Sequence, residues 1–138
     1  MLVVKKAALA IAVLALAGCA GMSGHATRVS LSGAQEVPPV GTSGSGSGSI
    51  TVGDDGSVSG SITVSGVNAV AAHIHQGASG ANGPVIVPFS KNPDGSWSPA
   101  PGAKLNDAQL AAYKAGNTYV NVHSPQHKGG EIRGQLQP

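Results

Sequence analysis

The chain has 138 residues, of which 10% are charged and 3% aromatic, and its formal net charge is +2. This length suits one domain, and 21 glycines with 9 prolines favour strands and turns over long helices. The small charge, without a basic stripe or interleaved aromatic residues, excludes a typical nucleic-acid-binding protein.

The N-terminus has the pattern of an export signal. Lys5 and Lys6 precede an apolar run over 7–17, which is too short to span a bilayer and is followed by small residues. We therefore predict a signal peptide at 1–18, with a retained hydrophobic anchor as the alternative. Its removal leaves equal numbers of basic and acidic residues, so the positive charge belongs to the targeting segment.

The sequence LAGC at 16–19 resembles the lipobox of bacterial lipoproteins. The resemblance implies that Cys19, the only cysteine, is acylated and anchors the chain to a membrane. Because Ala20 rather than aspartate follows it, the resemblance also implies the periplasmic side of the outer membrane or the cell surface. We expect residues 19–26 to form a lipidated tether and residues 27–138 to form the folded domain.

The first half of this domain alternates in hydrophobicity. TRVSLSG at 27–33 predicts a half-buried strand, and the run 50–64 predicts a hairpin that turns at GDDG. Between them, GTSGSGSGS at 41–49 is typical of a flexible linker, so we expect a loose hairpin connection or edge there.

The second half contains further strand patterns at 68–75, 85–89, 118–123 and 130–136, and NPDGSW at 92–97 predicts a turn. One helix is predicted near 106–115, with Asn106 as its cap and Gly116 as its stop. Short strands at regular spacing predict an all-β sandwich or barrel.

Alternation along these strands separates aliphatic from polar side chains. Since the aliphatic sets, such as Val70, Ala72 and Ile74, are needed for the core, the opposite sets are expected on the outward face. These outward residues are His73, His75, His123, Glu131 and Arg133.

The three outward histidines form a candidate metal site. His73 and His75 lie two apart on one strand and point the same way, and His123 would come from a neighbouring strand. Glu131 and Arg133 are candidates to orient these ligands or to neutralise a bound anion. All-imidazole ligation suits copper, with zinc as the alternative, and we expect His25 and His127 to be solvated.

Two interpretations without metal remain open. The histidines could form a hydrogen-bonded polar patch, or His73 could bond to Glu131 and join two strands.

Three stretches resemble the CHRD (chordin-type) domain: LSGAQEVPPV at 31–40, AAHIHQGASGANGPVIVPF at 71–89 and AGNTYVNVHSPQHKGGEIRGQL at 115–136. The resemblance implies an all-β sandwich and little specific biochemistry. The positions typical of the family correspond here to Glu36, His73, His75, Gly77, Gly83, Tyr119, His123, Gly130, Glu131, Arg133 and Gly134.

HIHQG at 73–77 also resembles, more weakly, the strand of copper-zinc superoxide dismutase whose two histidines place copper outside a Greek-key barrel. Residues 76–90 contain no histidine or aspartate to act as bridging or zinc ligands, and the enzyme's disulfide has no counterpart. Together the two resemblances imply an antiparallel Greek-key sandwich or barrel with one short helix.

Three functions follow from these observations. The first is a lipid-anchored, extracytoplasmic protein that binds copper or zinc through His73, His75 and His123. The second is an envelope or surface interaction module without metal. The third is a copper redox enzyme of the dismutase kind, although we find no hydrolytic constellation and favour a non-enzymatic role.

Overall fold

A computed structural model describes residues 24–138. The predicted signal peptide, Cys19 and the first part of the predicted tether lie outside the described residues. The eight strands are β1 (Gly24–Ser32), β2 (Ser45–Gly53), β3 (Val58–Ser65), β4 (Ala71–Gln76), β5 (Val85–Lys91), β6 (Trp97–Pro99), β7 (Thr118–His123) and β8 (Ile132–Leu136). A short 3-10 helix (Gly33–Gln35) follows β1, and the helix α1 (Asp107–Lys114) precedes β7.

The strands form a closed antiparallel barrel in the order β1-β2-β3-β6-β5-β4-β7-β8, and β8 pairs with β1. The prediction of an all-β antiparallel fold with one short helix is therefore confirmed. Within residues 24–138 the barrel closes through one pair of residues between β1 and β8, Ser32 and Arg133. Neighbours β4 and β7, which both carry histidines, are brought together by a crossover between distant parts of the chain.

The barrel interior is filled by the aliphatic sets of the strands, as alternation predicts. Ile50, Ile62, Val120, Val122 and Ile132 are completely buried. Val70 is an exception to the predicted inward set, because it precedes β4 and is 57% exposed. Alternation therefore applies only from Ala71 onward in this stretch.

The expected linker at 41–49 is wrong, because most of it belongs to β2, which pairs along its length with both β1 and β3. Gly46 and Gly48 lie on the same inward face of β2 as Ile50 and Val52. A side chain at Gly46 would meet Leu31 and Ile132, and one at Gly48 would lie 2.1 Å from the Ser61 carbonyl oxygen. These glycines are therefore required by close packing within a strand.

Two further boundaries differ from the sequence prediction. The first strand begins at Gly24 rather than 27, so the last residues of the expected tether pair with β2. The end of the predicted turn at 92–97 begins strand β6, where Trp97 is buried and pairs with Ile62.

Helix α1 has the predicted cap. The Asn106 side chain accepts a hydrogen bond from the Gln109 backbone at 2.8 Å, and the Gln109 side chain accepts one from the Asn106 backbone at 2.9 Å. This reciprocal arrangement satisfies two backbone donors at the helix start. The chain leaves the helix through Gly116 at a φ of 77°. Among the described residues, no helix has the length and apolar character needed to cross a membrane.

Candidate metal centre

The structure brings His73, His75 and His123 into one cluster on the outer side of the barrel wall, and one ligand atom from each lies within 4.8 Å of the others. Register explains the cluster, since Ala71 of β4 lies opposite His123 of β7 and the histidines of β4 follow on the same face. The ring centroids are 4.9 Å apart for His73 and His123, 5.6 Å for His73 and His75, and 5.8 Å for His75 and His123.

Two of the three rings are oriented by backbone carbonyls. His75 Nδ1 lies 2.9 Å from the Gly83 oxygen, and His123 Nδ1 lies 2.9 Å from the Lys128 oxygen. A carbonyl only accepts hydrogen bonds, so in each neutral ring Nδ1 carries the proton and Nε2 keeps its lone pair. Many metal-binding histidines are held in this way.

The third ring, that of His73, lies next to the ring of His123 and completes the cluster. His73 Nδ1 lies 3.1 Å from His123 Nε2. Because His123 Nε2 carries no proton, His73 Nδ1 donates this hydrogen bond and would bind an ion only after its proton moves to Nε2. Ligands at about 2.05 Å from one ion are separated by no more than about 4.1 Å, so ligand atoms 4.8 Å apart would have to approach each other on metal binding.

The cluster is more enclosed than the exposed site predicted from sequence. His75 is only 8% exposed, and His73 and His123 are half-buried. His75 Nε2 is buried and makes no hydrogen bond among the described residues. A buried polar atom without a partner costs free energy, and a metal ion beside it would remove that cost.

Burial also sets the protonation state of the cluster. Desolvation, with smaller contributions from His123 and His75, lowers the pKa of His73 from 6.5 to about 4. Desolvation likewise lowers the pKa of His75, although its bond to Gly83 opposes this shift. Both rings are therefore neutral at pH 7, which is the form that binds metals.

Glu131 and Arg133 do not hydrogen-bond to the histidines. The Glu131 carboxylate instead accepts hydrogen bonds from Ser124 Oγ at 2.7 Å and Thr42 Oγ1 at 2.8 Å. It thus joins the β7–β8 loop to the loop before β2. The alternative in which His73 bonds to Glu131 has no support in these contacts, since His73 Nδ1 lies against His123.

Arg133 reaches the cluster only through Tyr119. Its guanidinium carbon lies 3.4 Å from the centroid of the Tyr119 ring, and this ring is stacked on His75 at 4.9 Å between centroids and 10° between planes. The Tyr119 hydroxyl accepts a hydrogen bond from the Gly83 backbone at 3.0 Å. Tyr119 therefore fixes both the His75 ring and the loop whose carbonyl orients it.

Sequence reasoning did not assign the role of Tyr119 or the contact between Glu36 and Asn121. Tyr119, Asn121 and His123 alternate on one face of β7, which was the available signal. Asn121 donates from Nδ2 to Glu36 and, at 2.9 Å, to the Ile132 carbonyl. The sequence pattern did not indicate that the carbonyls of Gly83 and Lys128 orient the histidine rings, because strand alternation carries no information on loop geometry.

The two remaining histidines lie outside the cluster. His25 is exposed in β1 rather than in a tail, and His127 lies in the β7–β8 loop. Neither contributes to the three-histidine group.

A family model for the CHRD domain matches residues 27–136. The chain belongs to the CHRD domain family. The match covers β2 to β8 and all but the first three residues of β1, and the resemblance inferred from the sequence is thereby confirmed. No curated protein and no solved structure shows significant similarity to this CHRD chain. The role of the histidine cluster must therefore be argued from its own geometry.

Proposed function

We propose that this CHRD-domain protein is an exported, lipid-anchored protein that binds one copper ion through His73, His75 and His123, with zinc as the alternative metal. The observation that supports the proposal most is the set of converging ligand nitrogens, in which the Nε2 of buried His75 has no other partner. The residues thus fit a metal ion by donor type and by protonation state, and their ligand atoms need only a small movement to converge on one ion.

The arrangement is costly if no ligand binds. Three imidazoles are packed together and partly desolvated, yet the group as a whole has a single internal hydrogen bond, between His73 and His123. A purely structural cluster would be expected to satisfy the His75 nitrogen as well. We infer that Tyr119 and the carbonyls of Gly83 and Lys128 hold the rings ready for an ion, at the expense of the stability of the metal-free fold.

The donor set limits the choice of metal. Imidazole nitrogens suit zinc and copper, whereas calcium and magnesium prefer oxygen ligands. Cu²⁺ binds a given set of nitrogen ligands more tightly than Zn²⁺ does, so copper is the primary proposal. When bound, copper would supply an affinity for a fourth, external ligand, since the three histidines leave coordination positions free.

A metal titration tests this proposal. Purified domain 24–138, treated with chelator and dialysed, is titrated with Cu²⁺ and Zn²⁺ by calorimetry. Binding of one equivalent below micromolar levels, lost in His73→Gln and His123→Gln but kept in His25→Gln, supports it. If no uptake occurs at these concentrations, the metal proposal fails and an interaction module without metal becomes the better account.

The location is proposed from the sequence alone. Lipidation of Cys19 explains why the chain has a lipobox-like sequence and no other cysteine. Mass spectrometry of the protein purified from membranes should detect an acylated N-terminal Cys19, and Cys19→Ser should release the domain to the soluble fraction. An unmodified Cys19 in membrane-purified protein would refute the anchor.

A dismutase-like enzyme is a weaker second proposal. Its support is the strand order, because β7 lies beside β4 in the series β7-β4-β5-β6, as a Greek key of the dismutase kind would require. The absence of histidine and aspartate from 76–90 argues against a second metal. Catalytic removal of superoxide by the copper-loaded domain, above that of free copper, would favour the enzyme.

A further inference from the structure

A second candidate site lies on the same outer layer of the barrel, separated from His75 by the ring of Tyr119. A pocket of about 420 Å³ opens between the segment after β1 and the loop after β4. Ala34, Val37 and Pro39 give it an apolar wall, and Ser79 and Gly80 form part of the opposite wall. Glu36 and Arg133 supply the two charged groups of the lining.

Arg133 is a buried cation whose hydrogen-bond partners are all neutral. It is only 1% exposed, and it donates to the Ala78 carbonyl at 3.0 Å, to Gln135 Oε1 at 3.1 Å and to Asn82 Oδ1 at 3.4 Å. These bonds use both hydrogens of Nη2 and one of Nη1, so the Nε hydrogen and one Nη1 hydrogen remain without a partner among the described residues. Buried charges are normally paired, because desolvation of an uncompensated ion is unfavourable.

The two glutamines of the pocket are neutral, and the carboxylate of Glu36 partly compensates the Arg133 charge. The Gln35 side chain is bonded to the Ser30 carbonyl and the Gln135 backbone, and Gln135 Nε2 is bonded to the carbonyls of Gly77 and Gly116. Both amides are therefore already used in holding the walls. The pocket offers a ligand the free donors of Arg133 at one end and aliphatic surface at the other.

Glu36 limits the charge that the pocket accepts. Its Oε1 accepts from Asn121, and its carboxyl lines the same pocket as Arg133. Glu36 and Arg133 attract each other, so the pair leaves the pocket with little net charge, and the carboxylate of Glu36 repels a dianion more strongly than a monoanion. Burial also raises the pKa of Glu36, so its carboxyl accepts a proton more readily than a free glutamate when an anion approaches.

We propose that this pocket binds a small organic monocarboxylate, with the carboxylate on the guanidinium of Arg133 and a short apolar body against Ala34, Val37 and Pro39. Each planar fork of the guanidinium includes an Nη2 hydrogen, and both of these are already used, so the carboxylate accepts from the single Nε–H or Nη1–H donor of Arg133. The bond between Asn82 Nδ2 and the Val37 carbonyl, at 2.8 Å, joins the two loops that enclose the pocket, so the site is formed before ligand binds. The proposal does not depend on metal binding at the histidines.

Butyrate is a suitable probe, because it combines one carboxylate with a short apolar chain. In a ¹⁵N NMR titration of domain 24–138, we expect saturable shifts of the Arg133 Nε–H and of the Ser79 and Gly80 amides in the millimolar range. Butyramide tests the charge, and inorganic phosphate tests a different oxyanion. Equal shifts with butyramide, or saturation with phosphate but not with butyrate, would overturn the proposal.

Two variants block the pocket without changing the buried arginine. Ser79→Trp and Ala34→Trp each place an indole at an exposed position of the lining, and Ala81→Trp is a matched control in the same loop but outside the lining. We expect each blocking variant to weaken butyrate binding at least about tenfold, because the indole occupies the volume that the ligand needs. The control should bind as the wild type does. Unchanged binding in both blocking variants, or absence of butyrate binding in the wild type, would refute the site.

Discussion

Replacing His75 with phenylalanine separates metal binding from folding. The phenyl ring keeps the stack on Tyr119 and removes Nε2, the buried atom without a partner. Removing an unsatisfied buried atom recovers about 1–3 kcal/mol, and leaving the Gly83 carbonyl without the bond from Nδ1 costs about 1–3 kcal/mol. The metal-free variant should therefore be about as stable as the metal-free wild type.

The metal-loaded proteins should differ much more. With free copper at about 100 times the dissociation constant, binding stabilises the wild type by about 2.7 kcal/mol. The described domain comprises residues 24–138. For a domain of this size the gain corresponds to a rise in Tm of about 10 °C. If phenylalanine weakens copper binding about 100-fold, the same concentration raises the variant's Tm by about 2 °C.

Differential scanning calorimetry of both proteins, with and without copper, measures these four Tm values. His25→Gln serves as the control, because His25 is exposed and lies outside the cluster, and it should retain the full copper-induced rise. The reasoning is refuted if the phenylalanine variant also gains about 10 °C with copper, or if the wild type gains nothing.

Three other changes test the layer around the cluster and the strand that sequence analysis missed. Burial raises the pKa of Glu36, so its charged form opposes folding. The favourable contribution of this group to folding stability is present below pH 4.5 and is lost as the pH rises. In urea unfolding, the stability of Glu36→Gln relative to wild type should therefore increase from pH 4 to pH 7. The pKa shift of Glu131 has the opposite direction, because hydrogen bonds from Ser124 and Thr42 lower it. Glu131→Gln should therefore be less stable than wild type at pH 7, and this difference in stability should shrink as the pH falls below 4.5. A pH-independent difference in either variant would contradict these assignments. Gly48→Ala should lower the free energy of unfolding by about 1–3 kcal/mol in the same assay, because its Cβ would lie 2.1 Å from the Ser61 oxygen. Gly41→Ala is the control and should change stability little, because the space around it is open. Equal effects of the two substitutions would contradict the close approach at Gly48.

Strand alternation was a reliable guide where side chains are large enough to carry the pattern. It predicted β1, β3, β7 and β8 and the common face of His73, His75 and His123, because hydrophobic and polar residues alternate there. It failed in β2, where the inward positions near its start are Gly46 and Gly48. A glycine has no side chain to mark a face, so a strand that packs through its backbone looks like a linker.

The enclosure of the site could not be predicted by the same rule. Alternation places a side chain inside or outside the barrel, but it does not show what lies above an outward residue. Arg133 and Glu131 are outward in register and nevertheless buried, because the loops after β1, β4 and β7 lie over this part of the wall. Their partners are separated from them by up to 89 residues in sequence, as Thr42 is from Glu131.

The outer layer has a physical role distinct from that of the interior. The barrel interior is aliphatic and stabilises the fold by burying apolar surface. The outer face of β4, β7 and β8 instead buries imidazole, guanidinium and carboxyl groups beneath loops, where low solvent exposure makes each unpaired charge or donor unfavourable. That penalty is what a ligand would relieve, at His75 Nε2 by a metal ion and at Arg133 by a carboxylate. The residues of both proposed sites lie outside the aliphatic core. Substitutions at His73, His123 or Ser79 should therefore alter ligand binding while leaving the barrel folded. The two proposed sites can thus be tested separately in the same folded domain.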